Sequence, residues 1–151
     1  MEKQTIKTEK VLNAYRILST AKYGKMSDSD KIKVWKIARA LKPVATQFED
    51  DSKSAAETMK PYETFTDDLT KAQEYERVKG VGCEMTAEEY QKFIADFKAY
   101  NELVSKAIKD FGDKEVELEF DALSEEAFGK LMASNEWTVE QVMELGTLIV
   151  E

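Results

Sequence analysis

Glu115, Glu117 and Glu119 occupy every second position of the run EVELEF, and they are the first residues whose type and spacing invite chemistry. On an extended strand that spacing projects three carboxylates from one face, and grouped carboxylates can hold a hard cation such as calcium. A calcium site also needs loop carbonyls and curvature, which strict alternation with Val116, Leu118 and Phe120 does not supply. The run therefore reads as a half-buried strand with a solvated acidic face. Asp50-Asp51 and Asp67-Asp68 raise the same question, but neighbours on a helix point about 100° apart, so neither pair is a ready-made chelate. No metal site is expected.

Nucleophilic chemistry is equally poorly supplied. The chain has no histidine, which removes Ser-His-Asp and Cys-His catalysis together with the commonest metal ligand. Cys83 is the only cysteine, so an internal disulfide is impossible, and no histidine can activate its thiol. Gly80-Val81-Gly82 lacks the third glycine and preceding strand of a dinucleotide loop, and the Lys-Ser or Lys-Thr of a phosphate loop, so it is a turn. No catalytic residue and no cofactor site can be named, and the expectation is a protein that is not an enzyme.

Two features point to binding instead. Lys31, Lys33, Lys36, Arg39 and Lys42 collect positive charge, mostly on a helix flank away from the apolar seam, where an anionic partner could meet them. The same cluster also reads as a solvated face balancing Asp28 and Asp30. Trp137 stands just ahead of a helix cap, as a staple residue packing onto that helix or as an anchor for a partner. Trp137, Lys33, Lys36 and Arg39 are the candidate partner-binding residues. The aromatic series Tyr90, Phe93, Phe97 and Tyr100 has the spacing of a core rather than of a base-stacking platform.

These residues must be positioned by one core. A chain of 151 residues, 42% of them hydrophobic, supports a single domain over 1–151. With 22 Lys plus Arg against 30 Asp plus Glu, the formal charge of -8 disfavours general nucleic-acid binding. Met1 to Lys10 lacks the apolar stretch of a signal peptide, and no segment has the apolar length to cross a bilayer. A cytoplasmic location without membrane attachment is expected.

Apolar residues at alternating steps of three and four mark two long helices. The first seam runs through Val34, Ala38, Leu41, Ala45, Phe48, Ala55 and Met59, broken only by Ser52. The second runs through Tyr90, Phe93, Phe97, Tyr100, Val104, Ala107 and Phe111. Together they predict a helical hairpin of residues 28–59 and 86–111, with alanines facing large aromatics. Ser27 or Ser29 caps the first helix, and Thr86 with Glu89 caps the second. Pro43 predicts a kink without a break.

Ile32, Trp35, Ile37, Ile94, Leu103 and Ile108 widen the two stripes, so a third element should cover them. The N-terminal helix over 8–22, with Val11, Leu12, Tyr15 and Leu18 on one face, is the expected cover. Residues 60–85 form the hairpin tip, with a short helix over 66–77. Residues 115–151 form a C-terminal strand and helix unit. In it Ser124 caps a helix reaching about Met132, Thr138 and Gln141 cap another ending near Leu145, and Leu148 to Val150 make a last strand. The partner of the acidic strand is either that strand or Thr5 and Ile6. The fold class is mostly α with minor β.

The order of these parts resembles a family of short, uncharacterised proteins encoded by bacteriophages and prophages. The resemblance rests on EKVLNAYRIL (9–18), on KIKVWKIARALKPVATQFED (31–50), and on EVELEFDALSEEAF and WTVEQVMELGTLIVE in the C-terminal unit. It covers most of the chain through patterns of residue class, and it brings no catalytic residues. It implies a phage context and no activity. Together with the absence of catalytic groups and the long packing helices, it leads to the expectation of a phage-encoded, non-enzymatic interaction protein that serves particle assembly or acts as an accessory factor. The alternative is an inhibitor of a host defence or regulatory protein, working through an acidic surface that imitates nucleic acid. The expected partner is a phage or host protein, and the expected state is monomer or homodimer.

Overall fold

The computed structural model describes residues 2–150, the side chain of Glu2 excepted. In chain order the elements are β1 (Glu2–Lys7), α1 (Thr8–Ser19), α2 (Asp28–Thr58), α3 (Phe65–Val78), α4 (Ala87–Asp113), β2 (Glu115–Phe120), α5 (Glu125–Ala133) and α6 (Val139–Ile149). They form two compact units, one of residues 1–51 and 110–151 and one of residues 52–109. The protein is mostly α with minor β. Among the described residues no helix is long and apolar enough to cross a membrane.

In the first unit Val11, Ala14, Ile17 and Leu18 of α1 are buried at helical spacing against Val34, Ile37 and Leu41 of α2 and Leu145, Leu148 and Ile149 of α6. Each of these valine, leucine and isoleucine side chains contributes about 1.5–3 kcal/mol when taken wholly out of water. The two strands pair antiparallel, with Lys3 opposite Glu119, Thr5 opposite Glu117 and Lys7 opposite Glu115. Thr8 fixes the junction of strand and helix: its backbone N–H and its hydroxyl donate to the Lys114 carbonyl at 2.9 and 2.7 Å. Gly112 is buried where the end of α4 passes α1, so closely that a Cβ there would lie 3.3 Å from the Glu9 Cβ.

Caps set the helix starts. The Ser27 hydroxyl accepts the Asp30 N–H at 3.2 Å, Thr86 accepts that of Glu89 at 3.2 Å, and Ser124 accepts that of Ala127 at 3.1 Å. Thr138 and Gln141 exchange hydrogen bonds in a full capping box. Each satisfies a backbone donor that a helix start leaves orphaned.

The second unit is built on aromatic rings. Phe65, at the start of α3 and 3% exposed, lies 5.0–6.0 Å from the rings of Tyr62, Phe93, Phe97 and Tyr100. The Tyr100 hydroxyl donates to the Ala56 carbonyl of α2 at 2.6 Å. Beyond α3 the chain turns through Lys79, Gly80 and Gly82, all with positive φ.

Two expectations need correction. Leu148 and Ile149 are not in a last strand: with Leu145 they form the buried i, i+3, i+4 stripe of α6, and only Val150 pairs, as a parallel bridge to Leu123. Burial along a helical period outweighed the β-branched composition of that segment. Nor are all the widening residues covered. Ile37 is fully buried, but Ile32 is 54%, Trp35 57%, Ile94 37% and Leu103 56% exposed. At about 100° per residue, Ile32 lies half a turn round α2 from Leu41, on the side away from that buried residue.

Candidate interaction surface

The first half of α2 presents two faces. Val34, Ile37, Leu41 and Ala45 are buried, and the opposite side carries Ile32, Trp35, Lys36, Arg39, Lys42 and Pro43 in the open. Arg39, one turn after Trp35, places its guanidinium carbon 5.2 Å from the centre of the indole ring. Lys33 stands on the flank. It lines with Ile32 and Lys36 a cleft of about 280 Å³ whose other wall is Glu119, Phe120 and Asp121. Among the described residues no ion pair involves Lys33, Lys36, Arg39 or Lys42, whereas Lys31 reaches Asp28 at 3.8 Å. The face is therefore an exposed aromatic and aliphatic pair with Lys36 and Arg39 beside it, and with Glu119 and Asp121 across the cleft from Lys33 and Lys36.

Three of the four sequence candidates, Lys33, Lys36 and Arg39, thus come together on this face. Trp137 does not join them. It is half-buried and packs against the core of the first unit. The turn before it is clamped by Asn135, whose side chain accepts the Lys22 N–H and donates to the Lys22 carbonyl, both at 2.8 Å. Of its two sequence readings, this is the packing contact. By sequence Trp35 counts among the flanking apolar residues that widen the seam and that a third element should cover. Its angle on the helix, rather than its hydrophobicity, was the signal that could have placed it outside.

A second exposed apolar pair sits on α6. Val139 is 76% and Met143 65% exposed, one turn apart, with the exposed carboxylates of Glu136, Glu140 and Glu144 around them. Beside Met143 opens a cleft of about 590 Å³ in which Ile6, Lys7, Asn13, Thr147 and Leu148 take part.

The remaining candidates have structural surroundings. Glu115 and Glu119 each face a lysine across the strand pair, and Glu117 faces a threonine, so the acidic row is one side of a mixed-charge ladder. Cys83 is half-buried, its thiol donating to the Met85 carbonyl at 3.3 Å. Asp67 and Asp68 lie in the first turn of α3, where the helix dipole favours negative charge. Asp51 accepts from the Gln47 amide at 2.8 Å. Among the described residues no group of three or more acidic or cysteine side chains is placed to hold a metal ion. The chain matches no protein-family model, no curated protein and no solved structure.

Proposed function

We propose that this chain is a non-enzymatic protein-interaction protein of the phage-encoded class its sequence resembles, serving particle assembly or acting as an accessory factor in the host cytoplasm. The observation that carries the reading is the outward face of α2. Trp35 and Ile32 stand more than half exposed among Lys33, Lys36 and Arg39, on a helix whose opposite face supplies the core. Tryptophan and arginine dominate the energetics of protein interfaces, and an exposed indole beside a guanidinium is the composition of a binding hot spot. The alternative, an inhibitor imitating nucleic acid, has the carboxylates of α5 and α6 in its favour. Val139 and Met143 in the middle of that acidic face speak for apolar contact instead, which a phosphate mimic does not require.

The test is capture of partners by the tagged protein from infected or lysogenic cells, run beside a Trp35→Glu variant. Recovery of phage structural proteins by the wild type and their loss from the variant is the expected result. Retention of the same proteins by both would remove α2 from the interaction. Retention of nothing by the wild type would count against the reading as a whole.

A further inference from the structure

The excess negative charge of the chain is confined to one stretch. Residues 115–151 hold ten of the 30 carboxylates and one of the 22 cations, which leaves 20 carboxylates and 21 cations in residues 1–114. The structure places part of that acidic excess beside an exposed apolar pair, Val139 and Met143 on α6, and places Lys33, Lys36 and Arg39, which make no ion pair among the described residues, beside another, Ile32 and Trp35 on α2. Each pair spans about one helical turn. Along the chain the first is accompanied by Glu136, Glu140 and Glu144 and the second by Lys33, Lys36 and Arg39, while Glu119 and Asp121 line the cleft beside Ile32 and Lys7 and Lys10 the cleft beside Met143.

From this complementarity we infer that the protein associates with itself head to tail, the α2 face of one copy docking on the α6 face of the next. The inference deepens the interaction reading above and rests on it, by naming a second copy as a partner. Like faces do not pair: α2 against α2 sets lysines and Arg39 against their own kind, and α6 against α6 does the same with glutamates. Opposite faces satisfy both charges around an apolar centre, and two helix faces pack at the ordinary interaxial distance of about 8–10 Å.

Because the two faces are different surfaces of one chain, the contact is heterologous. A docked copy still offers one free face of each kind, so association continues into a ring where the rotation closes or a filament where it does not. One helix face on each side makes an interface smaller than the usual stable size, so assembly is weak and concentration-dependent. Its charged rim also makes it sensitive to salt.

Sedimentation of the purified full chain, from about 1 μM to about 1 mM, spans the affinities that small interfaces show. The wild type is expected to grow beyond a dimer as concentration rises, and to shrink when salt is added. Trp35→Glu and Met143→Lys, both at exposed positions, are each expected to remain monomeric. Their equimolar mixture is expected to give a one-to-one heterodimer and nothing larger, since each variant retains the face the other lacks. The pair Lys36→Glu with Arg39→Glu provides a second disruption of α2 that leaves the indole in place.

A wild type that is monomeric throughout the range overturns the inference, as does a mixture that forms no heterodimer. A closed dimer disturbed by only one of the two variants overturns it as well. Failure here is separable from failure of the interaction reading. A monomeric protein that still captures phage proteins through Trp35 would keep that reading and lose this one.

Discussion

Arg39 holds its guanidinium carbon 5.2 Å from the centre of the Trp35 ring, on the exposed side of α2. A cation over an exposed indole contributes about 0.5–1 kcal/mol, enough to orient the ring and too little to hold the fold. The two tryptophans of the chain should therefore behave differently. Trp35→Ala is expected to lower the unfolding free energy by only about 0.5–1 kcal/mol, the worth of the cation-ring contact it removes. Trp137→Ala removes a ring packed on the core and is expected to cost about 3 kcal/mol, the low end for buried aromatics. Urea unfolding of the two variants decides it. Equal losses would mean that Trp35 is part of the core after all.

The contrast also marks how far the sequence could be read. Helix starts were legible because a cap is local chemistry: Ser27, Thr86, Ser124 and Thr138 each bond a backbone N–H three residues on. The strand EVELEF was legible from its period of two, and its pairing with β1 was one of two open alternatives. The aromatic series of α4 was rightly assigned to a core, but its centre, Phe65, was not anticipated. It lies in the segment between the long helices, where no periodicity reports which ring fills the gap. For the candidate site, the charges on α2 were visible in the sequence and Trp35 was not seen to stand among them. Hydrophobic runs do not distinguish a wide buried stripe from a helix apolar on both sides.

Ser52 interrupts an otherwise apolar seam, and among the described residues its hydroxyl is a buried side-chain oxygen without a hydrogen-bond partner. Burying an unpaired hydroxyl is unfavourable, so Ser52→Ala is expected to stabilise the protein by about 1 kcal/mol. In a chain of this size that raises the melting temperature by roughly 2–4 °C. Part of any gain is the better helix propensity of alanine. Ser54→Ala, at an exposed position of the same helix, measures that part alone. If the two substitutions are equivalent, the buried hydroxyl is not a cost.

The turn after α3 offers a comparison of two glycines. Gly80 and Gly82 have φ of 78° and 72°, in the left-handed region where a side chain costs about 1 kcal/mol or more. A Cβ at Gly82 meets nothing, whereas one at Gly80 would lie 3.1 Å from the Tyr75 ring. That ring stacks on Tyr90 with centroids 4.2 Å apart, so pushing it disturbs the contact between α3 and α4. Gly80→Ala is expected to destabilise more than Gly82→Ala, by about 1 kcal/mol, the usual cost of mild overpacking. Thermal melts of both variants test the order. Equal losses would assign the whole effect to backbone conformation.

Alkaline pH gives the last test, through Tyr62. Burial, with the Asp68 and Asp96 carboxylates nearby, pushes its phenol from 10.0 up to about 12. The folded protein therefore holds the phenolic proton more tightly than the unfolded chain does. The stabilisation is fully present below pH 10, and it is lost as pH rises to about 12. Tyr90, whose hydroxyl donates to Glu76 at 2.7 Å, is raised as well, and Tyr23 is raised by burial, so the wild type loses stability from several phenols at once. The difference between wild type and Tyr62→Phe isolates one of them. The variant is expected to lose less stability between pH 10 and 12 and to lack the latest-ionising tyrosine in an ultraviolet titration. Asp68→Asn removes one of the charges that hold the proton on, so it should bring that ionisation to lower pH without abolishing it. A titration unchanged by Asp68→Asn would leave burial and Asp96 as the causes of the shift.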